Sequence, residues 1–173
     1  MNVCVIDSYV DINIISLMST RQARAKEKAR ELPLALTHHV RDNCLCLHAQ
    51  RAARALARRF DEVLRPHDLT NGQFSLLVSL NRPQPPSIGS VASLLAMDRT
   101  TLTAALKPLE RRGLLKISID KEDRRSRRLT ITPAGRALLV KAYPVWKETH
   151  AETERLIAHA SADVLRAALR ALS

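Results

Sequence analysis

The spacing of apolar residues changes at Gly113, and that change limits the possible folds more than any other feature of the chain. Before it, Leu102, Ala105, Leu106 and Leu109 recur every three or four residues, the period of one helical face. Asp98 stands ahead of them as an N-cap, and Gly113 follows as a glycine that ends the helix. Upstream, Ser87 opens a shorter helical stretch with Ile88, Val91, Leu94 and Leu95. Only a turn at Ala96–Met97 separates the two, which is the helix-turn-helix arrangement. After Gly113, Leu114, Leu115, Ile117 and Ile119 read as a strand, and Leu129, Thr130, Ile131 and Thr132 as its partner. Asp120 to Arg127 then form a charged hairpin loop, or wing.

The flanking segments read as helices. The pattern from Thr37 to Leu64 is that of one helix, with Leu45, Ala49, Ala52, Leu56, Phe60 and Val63 on a stripe. Arg51, Arg54 and Arg58 line another face, and Pro66 and Asp68 end the helix. Thr70 caps the next, which carries Phe74, Leu77, Val78 and Leu80; the prolines between 81 and 87 then demand a loop. Thr132-Pro133 opens a long helix whose apolar face runs through Leu138, Leu139, Ala142, Val145 and Trp146 to Leu156 and Ile157, with Pro144 as a candidate kink. Ser161 caps a last helix with a stripe of Val164, Leu165, Ala168, Leu169 and Leu172. The fold class expected is mainly α with a small β-hairpin. With 173 residues there is room for one domain with helical extensions, and an aromatic share of 3% disfavours a large sheet.

Residues 1–36 are expected to be an N-terminal extension, disordered or a dimer arm, and Met18 is an alternative start. Asp7 and Asp11 come too early for a signal peptide, and no apolar run reaches the roughly 18 residues of a membrane span. Three cysteines, Cys4, Cys44 and Cys46, do not make a disulfide scaffold. A cytoplasmic protein without a membrane partner is the expectation.

Formal net charge is +11, of which residues 98–136 contribute +6. A basic balance this concentrated points to a polyanion, nucleic acid before acidic membrane. On a helical wheel Thr100, Thr103, Ala104, Lys107 and Arg111 face away from the apolar side, with Arg99 and Thr101 flanking them near the positive helix end. A helix of this diameter fits the DNA major groove, where hydroxyls and methyls reach base edges. The alternative is a solvated basic face, which the short turn before it and the basic hairpin after it disfavour. Pro108 removes the hydrogen bond to Ala104, so a kink is expected there.

Five motifs carry a family resemblance: Leu69-Thr-Asn-Gly-Gln-Phe-Ser-Leu-Leu77, Met97-Asp-Arg-Thr-Thr-Leu-Thr103, Leu109-Glu-Arg-Arg-Gly-Leu-Leu115, Asp123-Arg-Arg-Ser-Arg-Arg128 and Leu129-Thr-Ile-Thr-Pro-Ala-Gly135. In this order and spacing, residues 37–160 resemble the winged helix-turn-helix regulators of the multiple antibiotic resistance regulator (MarR) family. The resemblance implies a homodimer built from N- and C-terminal helices that binds pseudo-palindromic double-stranded DNA, usually as a repressor. It divides residues 37–173 into a winged helix-turn-helix lobe at 66–136 and dimerisation helices at 37–65 and 137–173. It also implies that Arg125, held by Asp123, enters the minor groove. Arg124 and Arg127 join them as candidate DNA contacts. The alternative for Asp123 is an ordinary turn residue. Independently, the last helix has a stripe with little chain left to cover it, which a second copy or a fold-back on its own domain would bury.

Enzyme signatures are absent: no Gly-rich phosphate loop, no nucleophile elbow and no paired carboxylates in an acid/base setting. No cofactor is implied. His38, His39, Cys44, Cys46 and His48 form a cluster of soft ligands, but without standard metal spacing. Packing of small cysteines is the preferred reading, and a metal- or redox-dependent protein using this cluster is the rival. The family resemblance implies a small-molecule effector of unknown identity, for which Phe74, Tyr143 and Trp146 are the aromatic candidates, with core packing as their alternative. A further rival is a nonspecific architectural nucleic-acid binder.

Overall fold

The computed structural model describes residues 32–120, 122–157 and 161–173. Of the N-terminal extension expected over residues 1–36, residues 1–31 lie outside the described residues, and Leu34 to Leu36 already belong to a helix. The chain divides into two units, residues 1–51 and 52–173.

In the first unit, α1 spans Leu34–Asn43, and Leu45 begins α2, which runs to Leu64. The single helix expected from Thr37 is thus broken. Cys44 is extended, with φ −76° and ψ 106°. The Asn43 side-chain amide donates back to the His39 carbonyl at 2.9 Å. The Cys44 sulfur then accepts the Leu47 amide at 3.4 Å and so caps α2. Leu34, Leu36, Val40 and Leu45 are all exposed.

In the second unit, α2 ends in a 3-10 turn at Arg65–His67, and Asp68 adopts a left-handed conformation, φ 52°. Then follow α3 (Asn71–Ser79), α4 (Ile88–Leu94), α5 (Arg99–Arg111), β1 (Leu115–Ile119), β2 (Arg127–Ile131), α6 (Pro133–Arg155) and α7 (Ala162–Ala171). Five of these helices start the same way: Thr70, Ser87, Asp98, Thr132 and Ser161 each offer a side-chain oxygen to the amide three residues on. At Thr70 the partner Gln73 returns the bond, completing a capping box. Gly113, at φ 67°, ends α5 as its position predicts.

The hairpin is antiparallel, with Leu115 opposite Ile131 and Ile117 opposite Leu129. Its second strand starts earlier than the sequence suggests, at Arg127, and excludes Thr132. That threonine is committed to α6: its hydroxyl accepts the Gly135 amide at 3.1 Å and donates to the Gly113 carbonyl at 2.7 Å. At the other end, α6 stops at Arg155, so Leu156 and Ile157 lie beyond it rather than on its apolar face. Pro108 and Pro144 both sit inside continuous helices.

Leu102, Leu106 and Leu109 of α5 are fully buried with Val91, Leu64, Leu76, Leu77, Leu115 and Leu129. This core joins α5 to α4 on one side and to the hairpin on the other, which makes the fold a winged helix-turn-helix. The apolar stripe of α7 meets no such core: Val164, Leu165, Leu169 and Leu172 are exposed, as is Leu56 of α2. Among the described residues no helix is long and apolar enough to cross a membrane.

Candidate nucleic-acid interface

Burial of the leucine face fixes what α5 shows to solvent. Arg99, Thr100, Thr103, Ala104 and Lys107 line a shallow concavity on its outer side, and Arg111 is exposed at its end. Thr101 has another task. The two oxygens of Asp98 accept its amide at 2.8 Å and its hydroxyl at 2.5 Å. The Thr101 hydroxyl and, after it, the Thr101 amide hold the Asp98 carboxyl below the usual carboxylate range. Thr103 donates its hydroxyl proton to the Arg99 carbonyl at 2.7 Å, so it keeps a methyl and acceptor lone pairs for an outside partner.

The wing presents the other cations. Asp123 accepts the Arg125 amide at 2.9 Å, and its own carbonyl accepts the Ser126 amide at 2.9 Å. The aspartate therefore holds Arg125 by its backbone. Among the described residues it makes no ion pair with the Arg125 guanidinium, in contrast to the side-chain grip that the family resemblance implies. An aspartate two residues ahead of an amide is placed for this turn. Arg127 bends back to the Arg124 and Ser126 carbonyls at 3.0 and 3.3 Å, while Arg124 and Arg125 are exposed.

Helix and wing meet in a groove of about 420 Å³, where Arg99 and Thr103 lie with Asp123, Arg125 and Arg127. Gly89 of α4 also lines it, and a Cβ there would lie 3.1 Å from the Arg99 guanidinium, so the missing side chain makes room for that cation. The arrangement gathers hydrogen-bond donors of α5 and the wing along one groove, suited to phosphate oxygens and to base edges beside them. Sequence reasoning missed Gly89, and it missed Asp120 and Arg128 at the wing base. Asp120, read as loop, is 6% exposed and ion-paired to Arg128. The available signal was local: an aspartate followed at two and three residues by amides it can accept.

Phe74, Tyr143 and Trp146 come together in one cluster. Trp146 stacks on Phe74 at 5.8 Å and on Tyr143 at 6.0 Å between ring centroids, and lies 6.4 Å from Phe60 and 4.9 Å from His150. Phe74 is buried in the core and Tyr143 is 52% exposed. In the first unit, Cys46 accepts from the Gln50 side chain at 3.2 Å, and a His48 ring nitrogen lies 3.3 Å from the Asp42 carbonyl oxygen. Among the described residues no three His, Cys, Asp or Glu side chains converge as metal ligands.

Comparison with known proteins places this geometry. The family model described as "MarR family" matches residues 69–126. The HTH-type transcriptional regulator SarZ of Staphylococcus haemolyticus is 29% identical over 54% of this chain and 63% of its own. The HTH-type transcriptional regulator TtmR of Methylorubrum extorquens is 31% identical over 68% of this chain and 58% of its own. The chain thus spans 63% and 58% of the lengths of these two curated relatives. The crystal structure of the M. tuberculosis transcriptional regulator MosR in complex with DNA superposes with a TM-score of 0.68 at 34% identity, over 75% of this chain and 93% of MosR.

Proposed function

This chain belongs to the MarR family of transcriptional regulators, and from that premise we propose that it binds double-stranded DNA and regulates transcription as a homodimer. The carrying observation is the groove that joins Arg99 and Thr103 of the recognition helix to Arg125 and Arg127 of the wing. Affinity comes mainly from phosphate contacts by these cations, and specificity from α5 in the major groove and from groove shape under the wing. Arg99, Thr100, Thr103, Lys107 and Arg111 serve the first contact, and Arg124, Arg125 and Arg127 the second. Thr101 acts through its bond to Asp98 at the start of the helix. MosR was crystallised with DNA, which supports the same partner here.

The exposed leucines and valine of α7 support a dimer, because a short helix gains most of its stability from packing its apolar stripe. Two copies would set two wings on adjacent half-sites of a pseudo-palindromic operator. Repression, with release by a small-molecule effector, completes the reading. The half-exposed Tyr143 over Trp146 is the surface such an aromatic or acyl ligand would use, with Phe74 as the wall behind it. The lobe at 66–136 reads DNA, and the helices at 37–65 and 137–173 dimerise.

Selection of bound duplexes from a random library tests the reading directly. A two-fold symmetric sequence is expected. Uniform retention of all sequences would leave only a nonspecific architectural binder.

A further inference from the structure

One ion pair, between Asp120 and Arg128, closes the base of the wing. Asp120 directly follows β1 and is almost without solvent exposure. Its carboxylate accepts the Glu122 amide at 2.9 Å, and its second oxygen accepts from Nε of Arg128 on β2. Arg128 reaches further, donating from its guanidinium to the Pro85 carbonyl at 3.3 Å. The chain beside it follows suit: the Leu129 amide donates to the Pro86 carbonyl at 2.9 Å, and Ser87 bridges to Arg128. Pro85 to Ser87 thus form a short third rung on the outer edge of β2. Ser87 is also the N-cap of α4, the first helix of the helix-turn-helix. A hairpin of two short strands holds no fixed direction by itself. Here Arg128 joins β2 to the segment that starts α4, and Asp120 grips Arg128 from the end of the other strand.

We propose that Asp120 and Arg128 are positioning residues for DNA recognition: they set the angle at which the wing arginines are presented beside α5. The proposal rests on the DNA-binding reading above. It makes a prediction whose sign opposes simple electrostatics. Asp120→Asn removes a negative charge from a basic surface, so charge alone would tighten binding to a polyanion. Loss of positioning weakens it, because Arg125 and Arg127 are no longer held toward the groove.

The test uses the full chain and a duplex recovered from the random library. Asp120→Asn is expected to bind this duplex about tenfold more weakly than the parent, with unchanged circular dichroism. Arg128→Lys keeps the charge but loses Nε and the planar fork; it is expected to show the same direction and decides the matter if Asp120→Asn does not fold. Each is then combined with Arg125→Ala and with Thr103→Ala. Coupling to Arg125 and additivity with Thr103 are expected, since only the wing contact passes through the pair. A general loss of stability would not couple so selectively. Binding equal to or tighter than the parent, or additivity with both partners, overturns the positioning role alone. A parent that does not bind the duplex overturns the DNA-binding reading and this role with it.

Discussion

A methyl group on Gly135 has no space: its Cβ would strike the Leu114 carbonyl oxygen and lie 2.9 Å from a carbon of Ile131. Both are held in place by the hairpin and by Thr132, whose amide donates to that same carbonyl at 3.0 Å. Gly135→Ala should therefore lose about 1–3 kcal/mol of stability in urea unfolding, as overpacked cores do. At Arg125 and Thr103 the consequence is in recognition. Arg125→Ala should weaken binding to most duplexes, and most of all to those A·T-rich under the wing, where the narrow groove attracts a guanidinium. Thr103→Ala should instead change the preference at one base pair, by about 1–3 kcal/mol, if the threonine oxygen or methyl touches a base edge. Titration of both variants against single-base changes of the selected duplex separates the two. Unchanged preferences for Thr103→Ala would move the reading face toward Arg99 and Thr100.

Among the elements, the wing carries a nearly buried charge at its base. The Glu122 amide, and after it the Arg128 side chain, hold the Asp120 carboxyl below its ordinary value of 3.8. A depressed carboxyl stabilises the fold above its unfolded value, and that contribution is lost as pH falls through the folded one. The difference in melting temperature between the parent and Asp120→Asn should thus be full at neutral pH and shrink below about pH 3.8. A difference that grows on acidification would contradict the pairing. The α3 helix makes a simpler case. Thr70 and Gln73 satisfy each other's backbone amides at 3.2 Å, so Thr70→Ala should cost about 1 kcal/mol in denaturant melts, with little change in DNA affinity.

For the whole molecule, charge and oligomeric state decide how tightly DNA is held. Residues 98–136 carry +6 of the net +11, so several phosphates per subunit are within reach. A dimer should lose roughly two decades or more of affinity between 50 and 200 mM salt. A flat response in that titration would remove the phosphate contacts from the account. Deleting residues 161–173 removes the exposed stripe of α7. In sedimentation the truncated chain should run as a monomer or aggregate, and its binding to a two-fold symmetric duplex should weaken. A well-behaved dimer with normal binding would place the dimer contact elsewhere.

Much of this was legible in the sequence because it is local. Asp98, Gly113 and Thr132 mark helix ends through bonds to amides or turns only a few residues away, and a sequence displays those distances directly. The outward face of α5 was legible for the same reason: once Leu102, Leu106 and Leu109 are assigned to the core, a period of 3.6 places Thr103 and Lys107 opposite them. The break at Cys44 was local too, but it lies in the extended backbone of one residue, which no period records. What only the tertiary structure decided is where distant segments return to each other. Nothing in the spacing of residues says that Pro85 and Pro86 lie along β2, or that Arg128 spans from Asp120 to that loop. Nor does it say that Gly89 leaves room for Arg99 beside the wing. Periodicity records which face of an element is apolar; which neighbour that face meets depends on packing the whole core at once.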